Sequence, residues 1–461
     1  MVGRVVVTLL VSSFAFISAG FLLCYQCYEQ ILQETFQYQR FKCLVIWLSG
    51  VLGLSLGFPS AALFPRLRPM WMCVLSTAIS TVAYLLLWST TKIPVFYQHY
   101  YPLLAFFNFL AGHGTSYLYH TALYVCLKNA PKSAMAFTSG CLHLLMVLSQ
   151  GTGWLSVSAL SVRSDILFII WVVLGAGGGF LGILGIRLNH PPHTYPPPTT
   201  RSGRLDSMSD VRTLTTSAID FAPSDPDSNS ELTEDDDRGL SPPVPPIISP
   251  SDSAIRLSRS VSVEAAGEGG GGVWKVMGLL LAFALGTGSA LSLLVFADIL
   301  ISEANQTRTL VAFWLAAAFA FTFFGWLSDW NRPVDASSGV PRRNYLLLAL
   351  FALLLSSAAS LIFPMSDGMW SGVGVSSGLV LGSLWSVGLA GLVEAAGRRR
   401  LLLVWPGALS FSWLFLAGGT LVIAALNQDA ASAQLLLRRG IGGTLVGTAA
   451  AAALALLLMP A

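Results

Sequence analysis

Charge is what this sequence of 461 residues has least of: Asp, Glu, Lys and Arg make up 11% of it and hydrophobic residues 54%. A soluble domain carries roughly a quarter charged residues, so the chain belongs in a bilayer. No lysine or arginine falls in the middle of a long apolar run. That excludes the buried guanidinium that usually clamps a carboxylate or phosphate. Cysteine is scarce as well, with six, all in the first half: Cys24, Cys27, Cys43, Cys73, Cys126 and Cys141. Cys24 and Cys27 form a CxxC without a βαβ context or a second pair, so neither redox chemistry nor zinc is supported. A Cys27–Cys43 disulfide at the outer ends of two helices stays open. There is no nucleophile with its base, no metal-spaced cluster and no acidic Asp pair at an inner membrane face, so an enzyme is not expected, nor a metal or cofactor.

What is present is a set of apolar runs of about 20 residues, the length a helix needs to span the hydrocarbon layer. Six precede the middle of the chain, near Val5–Gln26, Cys43–Phe64, Met70–Leu87, Tyr101–Leu127, Met135–Leu160 and Ile166–Ile186. Six follow, near Val273–Ile301, Leu310–Leu327, Tyr345–Phe363, Gly372–Val393, Leu401–Leu426 and Leu436–Leu458. The first begins after Arg4 and exceeds an ordinary signal-peptide core, so it is read as a retained helix. The expected fold is an all-α polytopic membrane protein of twelve transmembrane helices, six plus six. Residues 1–189 form the first bundle, 190–272 a disordered cytosolic linker and 273–461 the second bundle.

The linker runs from HPPHTYPPPTT to EGGGG and holds thirteen acidic against six basic residues. Such composition buries too little apolar surface to offset the entropy of ordering. Arg259-Ser260-Val261-Ser262 places Ser262 in a setting that suits a basophilic kinase, and Pro242-Pro243-Val244-Pro245-Pro246 suits an SH3-type partner. Outside the linker the net charge is about +10, in short loops that set topology rather than bind nucleic acid. Eleven basic residues fall in inner segments and seven in outer loops if both termini are cytosolic. The sequon Asn305-Gln306-Thr307 then lies in an outer loop, a candidate glycosylation site.

The third, sixth, ninth and twelfth runs carry no ionisable residue at membrane depth and can face lipid. Such residues gather on the fourth, fifth, seventh and tenth. At 100° per residue, His113, Tyr117, His120 and Tyr124 lie within about 40° of one line. Such a stripe is costly against lipid and is expected to line a solute or proton pathway. His143 stands alone in the fifth run and is expected to be structural. Asp298, near the outer end of the seventh run, is a pathway candidate, and Glu394 is expected in an ion pair at the inner surface.

Six plus six helices, a long charged central loop and every third helix facing lipid resemble the major facilitator superfamily. SAGFLLCYQCYEQIL, followed by GVLGLSLGFPSAAL from Gly50, resembles the first two helices of the nodulin-like proteins of plants and their fungal monocarboxylate-transporter-homologue relatives. Cys126-Leu127-Lys128-Asn129-Ala130-Pro131 resembles that group's CVKNFP segment, with Ala130 replacing phenylalanine and Ala134-Met135 standing where an Arg-Gly pair is usual. The superfamily's loop motif, Gly-x-x-x-Asp with basic residues behind it, is absent from the first half. It stands in the second as Gly325-Trp326-Leu327-Ser328-Asp329 with Arg332.

The resemblance implies two halves rocking about a midplane site lined by the first, fourth, seventh and tenth helices. It implies a secondary active transporter of a small organic solute, with His113 and His120 as carriers if a proton is coupled. The alternative is a membrane sensor or scaffold that has lost transport. The expected partners are the solute, the bilayer and a kinase or SH3-type protein at the linker. A monomer in the vacuolar membrane is expected, with the plasma membrane as the alternative.

Overall fold

In a computed structural model, residues 2–64, 66–158, 164–186, 271–331, 341–363, 366–397, 400–426 and 432–459 are described. Ser262, the proline cluster and Arg332 lie outside the described residues, as does the side chain of Asp298. The described secondary structure is helical. A bilayer leaves backbone N–H and C=O groups no water to bond, and a helix satisfies them within its own segment.

The first half contains α1 (Val2–Leu23), α2 (Tyr25–Phe36), α3 (Arg40–Ser55), α4 (Phe58–Leu63), α5 (Pro69–Thr90), α6 (Pro94–His99), α7 (Tyr101–Asn129), α8 (Met135–Ser158) and α9 (Ser164–Gly185). The second contains α10 (Gly271–Leu300), α11 (Glu303–Trp330), α12 (Arg342–Ile362) and α13 (Asp367–Ser383). A π turn over Leu384–Gly388 then leads into α14 (Leu389–Ala396), followed by α15 (Leu401–Leu426) and α16 (Ser432–Leu457). With α3–α4 and α13–α14 each counted as one broken span and the short α2 and α6 left out, twelve helical segments have membrane length. Nine are apolar enough by composition to cross. The other three are α7, α8 and α15, of 29, 24 and 26 residues. α7 and α8 carry the polar residues that lower their hydropathy, and both are central.

The third, sixth, ninth and twelfth segments are exposed as expected, and the eighth, α11, is equally so. α5, α9, α12 and α16 each bury 39% of their apolar window, as does α11, whereas α10 and the α13–α14 segment bury 78%. Large apolar side chains such as Leu85, Val173, Phe351 and Leu454 are exposed on the peripheral four. Lipid is their solvent, so this exposure carries no penalty.

Several local expectations change. The first apolar run does not continue to Gln26; its helix breaks at Cys24 and restarts as α2. Cys24 and Cys27 are disulfide-bonded across this break, while Cys43 is a buried free thiol against the Tyr38 carbonyl, so the Cys27–Cys43 pairing is excluded. α11 begins at Glu303, seven residues before its apolar run. The sequon at Asn305 therefore occupies the first helical turn and not a loop. α10 starts at Gly271, two residues inside the expected linker end.

Candidate functional site between the two halves

The two halves meet where α8 packs on α11 and on the π turn, and where α3 and α4 pack on α15. Small residues let the α8–α11 crossing close. A Cβ on Gly140 would stand 2.0 Å from the Phe321 carbonyl oxygen, and one on Gly325 would stand 2.9 Å from that of Ala136. Gly325 of the loop motif is thus a contact residue between the halves, and its spacing to Asp329 brings the carboxylate to the start of α8.

Asp329 ties that end of the crossing. Its Oδ2 accepts the backbone N–H of Phe137, at 2.8 Å, and its Oδ1 pairs with Arg342 at 3.0 Å. Arg342 also donates to the Ser328 hydroxyl at 2.6 Å and pairs with Glu394 at 3.0 Å. The arginine serving the loop motif in the described structure is thus Arg342, ten positions beyond Arg332, and Glu394 is in an ion pair as expected. At the opposite end of the helices, Arg40 at the start of α3 donates to the Val295 carbonyl of α10 at 2.5 Å and lies 3.5 Å from Glu29. Each latch joins one half to the other.

Between the two latches lies an aromatic cluster that the sequence did not single out. His143, fully buried, is ringed by Phe16 at 5.0 Å, Trp385 at 5.0 Å, Trp405 at 6.0 Å, and Phe321 and Tyr119 at 6.1 Å between ring centroids. These rings come from α1, α7, α8, α11, the π turn and α15. Only Phe16, Tyr119 and His143 belong to the first half.

The hydrogen bonds settle the tautomer. His143 Nδ1 lies 2.8 Å from the Ser139 carbonyl oxygen, which can only accept, so Nδ1 carries the proton. Nε2, 2.9 Å from the Tyr119 hydroxyl, accepts from it. The same Tyr119 oxygen accepts from Trp405 Nε1 at 3.1 Å. The Ser139 hydroxyl donates to the Trp385 carbonyl at 2.8 Å, and Trp385 Nε1 donates to Thr287 Oγ1 at 3.0 Å. Every polar side-chain atom in this series of bonds has a partner and none needs a charge. The π turn places Trp385 here; such turns insert one extra residue and recur at functional positions. Pro406 follows Trp405 inside α15 and removes one helical N–H.

The expected stripe on α7 is present. His113, half-buried, has Nε2 3.3 Å from the Tyr117 hydroxyl. His120, 2% exposed, donates from Nδ1 to the Ser116 carbonyl at 2.8 Å and lies over Gly57 at the α3–α4 break. Tyr124 packs edge-on against Phe64, at 4.7 Å, under Lys128. The contacts described for these four side chains lie within the first half. Tyr119 of α7, next to His120 with the two rings 5.0 Å apart, does reach the other half, through Trp405. The stripe and the interfacial cluster are therefore adjacent. Tyr119, Trp385 and Trp405 were not singled out because aromatic residues in apolar runs read as packing, and His143 was expected as a structural histidine. The one available signal was the lone histidine in the fifth run.

Asn305 donates from Nδ2 to Asp367 at 3.0 Å and to the Ser302 hydroxyl at 3.3 Å. The nitrogen that would carry a glycan is thus engaged at the start of α11.

Twelve membrane-length helical segments among the described residues, six in each half, make this a multi-pass integral membrane protein. The chain belongs to the Major Facilitator Superfamily, whose family profile matches residues 44–401. Among solved structures it is similar to the proton:xylose symporter XylE bound to 6-bromo-6-deoxy-D-glucose. That match has a TM-score of 0.62 and 12% identity, covering 99% of this chain and 95% of that one. It is also similar to the human organic anion transporter MFSD10 (TETRAN), with a TM-score of 0.60 and 13% identity over 99% of both chains. At these identities the likeness is one of fold. No curated protein sequence matches the chain.

Proposed function

We propose that the protein is a secondary active transporter that carries a small organic solute by alternating access, with its solute site at the Tyr119–His143–Trp385–Trp405 cluster. The carrying observation is that Trp405 to Tyr119 and Ser139 to the Trp385 carbonyl are both bonds between halves, at an interface that two latches also join. Rocking of one half against the other must break and remake these bonds, as alternating access about a midplane site requires. One histidine of the α7 stripe, His120, flanks the cluster, with Tyr119 between it and His143, which favours proton coupling over a sodium site built from carboxylates. Membership of the nodulin-like group rests on the first two helices and the Cys126–Pro131 segment, and a vacuolar membrane on that likeness. Kinase or SH3-type partners of the linker belong to the same proposal.

The test is solute counterflow in liposomes holding the full chain, loaded with a panel of small organic solutes with and without a proton gradient. Saturable exchange of any panel member supports transport. Binding without exchange would favour the sensor reading, which the departures at Ala130 and Ala134 motivate.

A further inference from the structure

We infer that the cluster takes an uncharged, hydroxyl-bearing ring: a solute with a C–H face to lie on indole and several O–H groups to replace the bonds that cross between the halves. This rests on the cluster being the solute site proposed above. When the halves part, Trp405 Nε1–H and the Ser139 hydroxyl lose their acceptors, and the Trp385 carbonyl loses its donor. These groups are buried, and a site left with unpaired buried polar groups rejects its ligand by a large factor. What enters must therefore accept twice and donate at least once at one locus. Neighbouring hydroxyls do both.

The charge classes fail on the same groups. A carboxylate would satisfy the two donors but face the Trp385 carbonyl, and it would be buried without a counter-charge. The described residues touching the cluster include no lysine or arginine, and both ring nitrogens of His143 are already engaged, Nδ1 by the Ser139 carbonyl and Nε2 by the Tyr119 hydroxyl, so it offers an anion no free N–H. An ammonium would gain from the aromatic faces, yet it accepts no hydrogen bond and would leave Trp405 and Ser139 unpaired. The rings themselves suit a flat C–H face. Trp385 and Trp405, both buried, stand nearly perpendicular, at 85°, with centroids 5.8 Å apart, so once the halves part a flat solute that lies on one meets the edge of the other.

Binding and flux are measured separately on the full chain. Thermal stabilisation of the protein in lipid nanodiscs is read with D-glucose, D-xylose and myo-inositol, with pyruvate and citrate, and with choline. The inference expects stabilisation by at least one of the three uncharged rings and by none of the others. Trp405→Phe keeps the ring and removes the N–H, and Ser139→Ala removes the second donor. Each should weaken that binding about tenfold, the equivalent of one hydrogen bond. Stabilisation by pyruvate, citrate or choline, with or without an uncharged ring, overturns the inference, and so does a panel in which no uncharged ring binds. A ring that binds but shows no counterflow leaves the inference standing and removes the transport reading. Counterflow of a carboxylate alone does the reverse.

Discussion

Trp405 Nε1 of α15 donates to the Tyr119 hydroxyl of α7 at 3.1 Å, across the boundary between the two halves and 286 positions along the chain. That hydroxyl in turn donates to His143, so one oxygen serves both halves.

The order of losses at this oxygen is predictable. Trp405→Phe removes one donor and leaves Tyr119 bonded to His143, at a cost of about 1 kcal/mol. Tyr119→Phe strands both the indole N–H and the His143 lone pair in a buried site and should cost about 2 kcal/mol. Thermal unfolding in nanodiscs should show Tyr119→Phe as the more damaging change; the opposite order would mean that the oxygen does not link the two groups.

The α8–α11 crossing makes a second ranking. Alanine at Gly140 must displace a backbone carbonyl 2.0 Å away, and alanine at Gly325 meets one at 2.9 Å. Gly140→Ala should therefore hold the halves apart and abolish counterflow, while Gly325→Ala lowers it only in part. Equal activity of both variants with the native protein would contradict the close approach.

At the loop motif, Asp329→Asn keeps an oxygen for the Phe137 N–H but loses the charge that Arg342 pairs with. Asp329→Ala loses both. Breaking a buried ion pair from one side costs on the order of 3 kcal/mol, offset here because Glu394 remains for Arg342. The alanine variant should thus be the less stable of the two, and Glu394→Gln combined with Asp329→Asn should be worse than either alone. Additive losses in that pair would show that Arg342 does not bridge them.

Proton coupling predicts uptake that rises as the outside pH falls, since a carrier histidine must be protonated on the acidic side. His113→Gln and His120→Gln retain polarity but cannot titrate, and each should flatten that profile while the protein still reaches its membrane. His143→Gln, which disrupts the bond to Tyr119, should reduce uptake at every pH. Native profiles for His113→Gln and His120→Gln, singly and together, would leave those two as structural residues.

Asn305 supplies the last test. With its Nδ2 bonded to Asp367 in the first turn of α11, the sequon should stay unmodified. N-glycosidase treatment of protein from a glycosylating host should leave its gel mobility unchanged; a shift would place this turn in an open form during synthesis.

Sequence alone determined the membrane class, because bilayer spans are set by run length and charge scarcity, both readable locally. The peripheral third, sixth, ninth and twelfth helices were legible for the same reason, and so was the polar stripe from His113 to Tyr124, which needs only the 3.6-residue period. Helix breaks at Cys24 and Leu56–Gly57 and the π turn at Leu384–Gly388 were not, since each falls inside an apolar run where burial decides the backbone. The interfacial cluster belongs wholly to the tertiary structure. Ser139 meets Trp385 across 246 positions and Tyr119 meets Trp405 across 286. In one dimension a tryptophan in an apolar run is indistinguishable from core. Only the crossing of α8 on α11, which Gly140 permits, and the seating of α15 against α3 and α4 bring the two indoles over His143 and turn packing residues into a polar site.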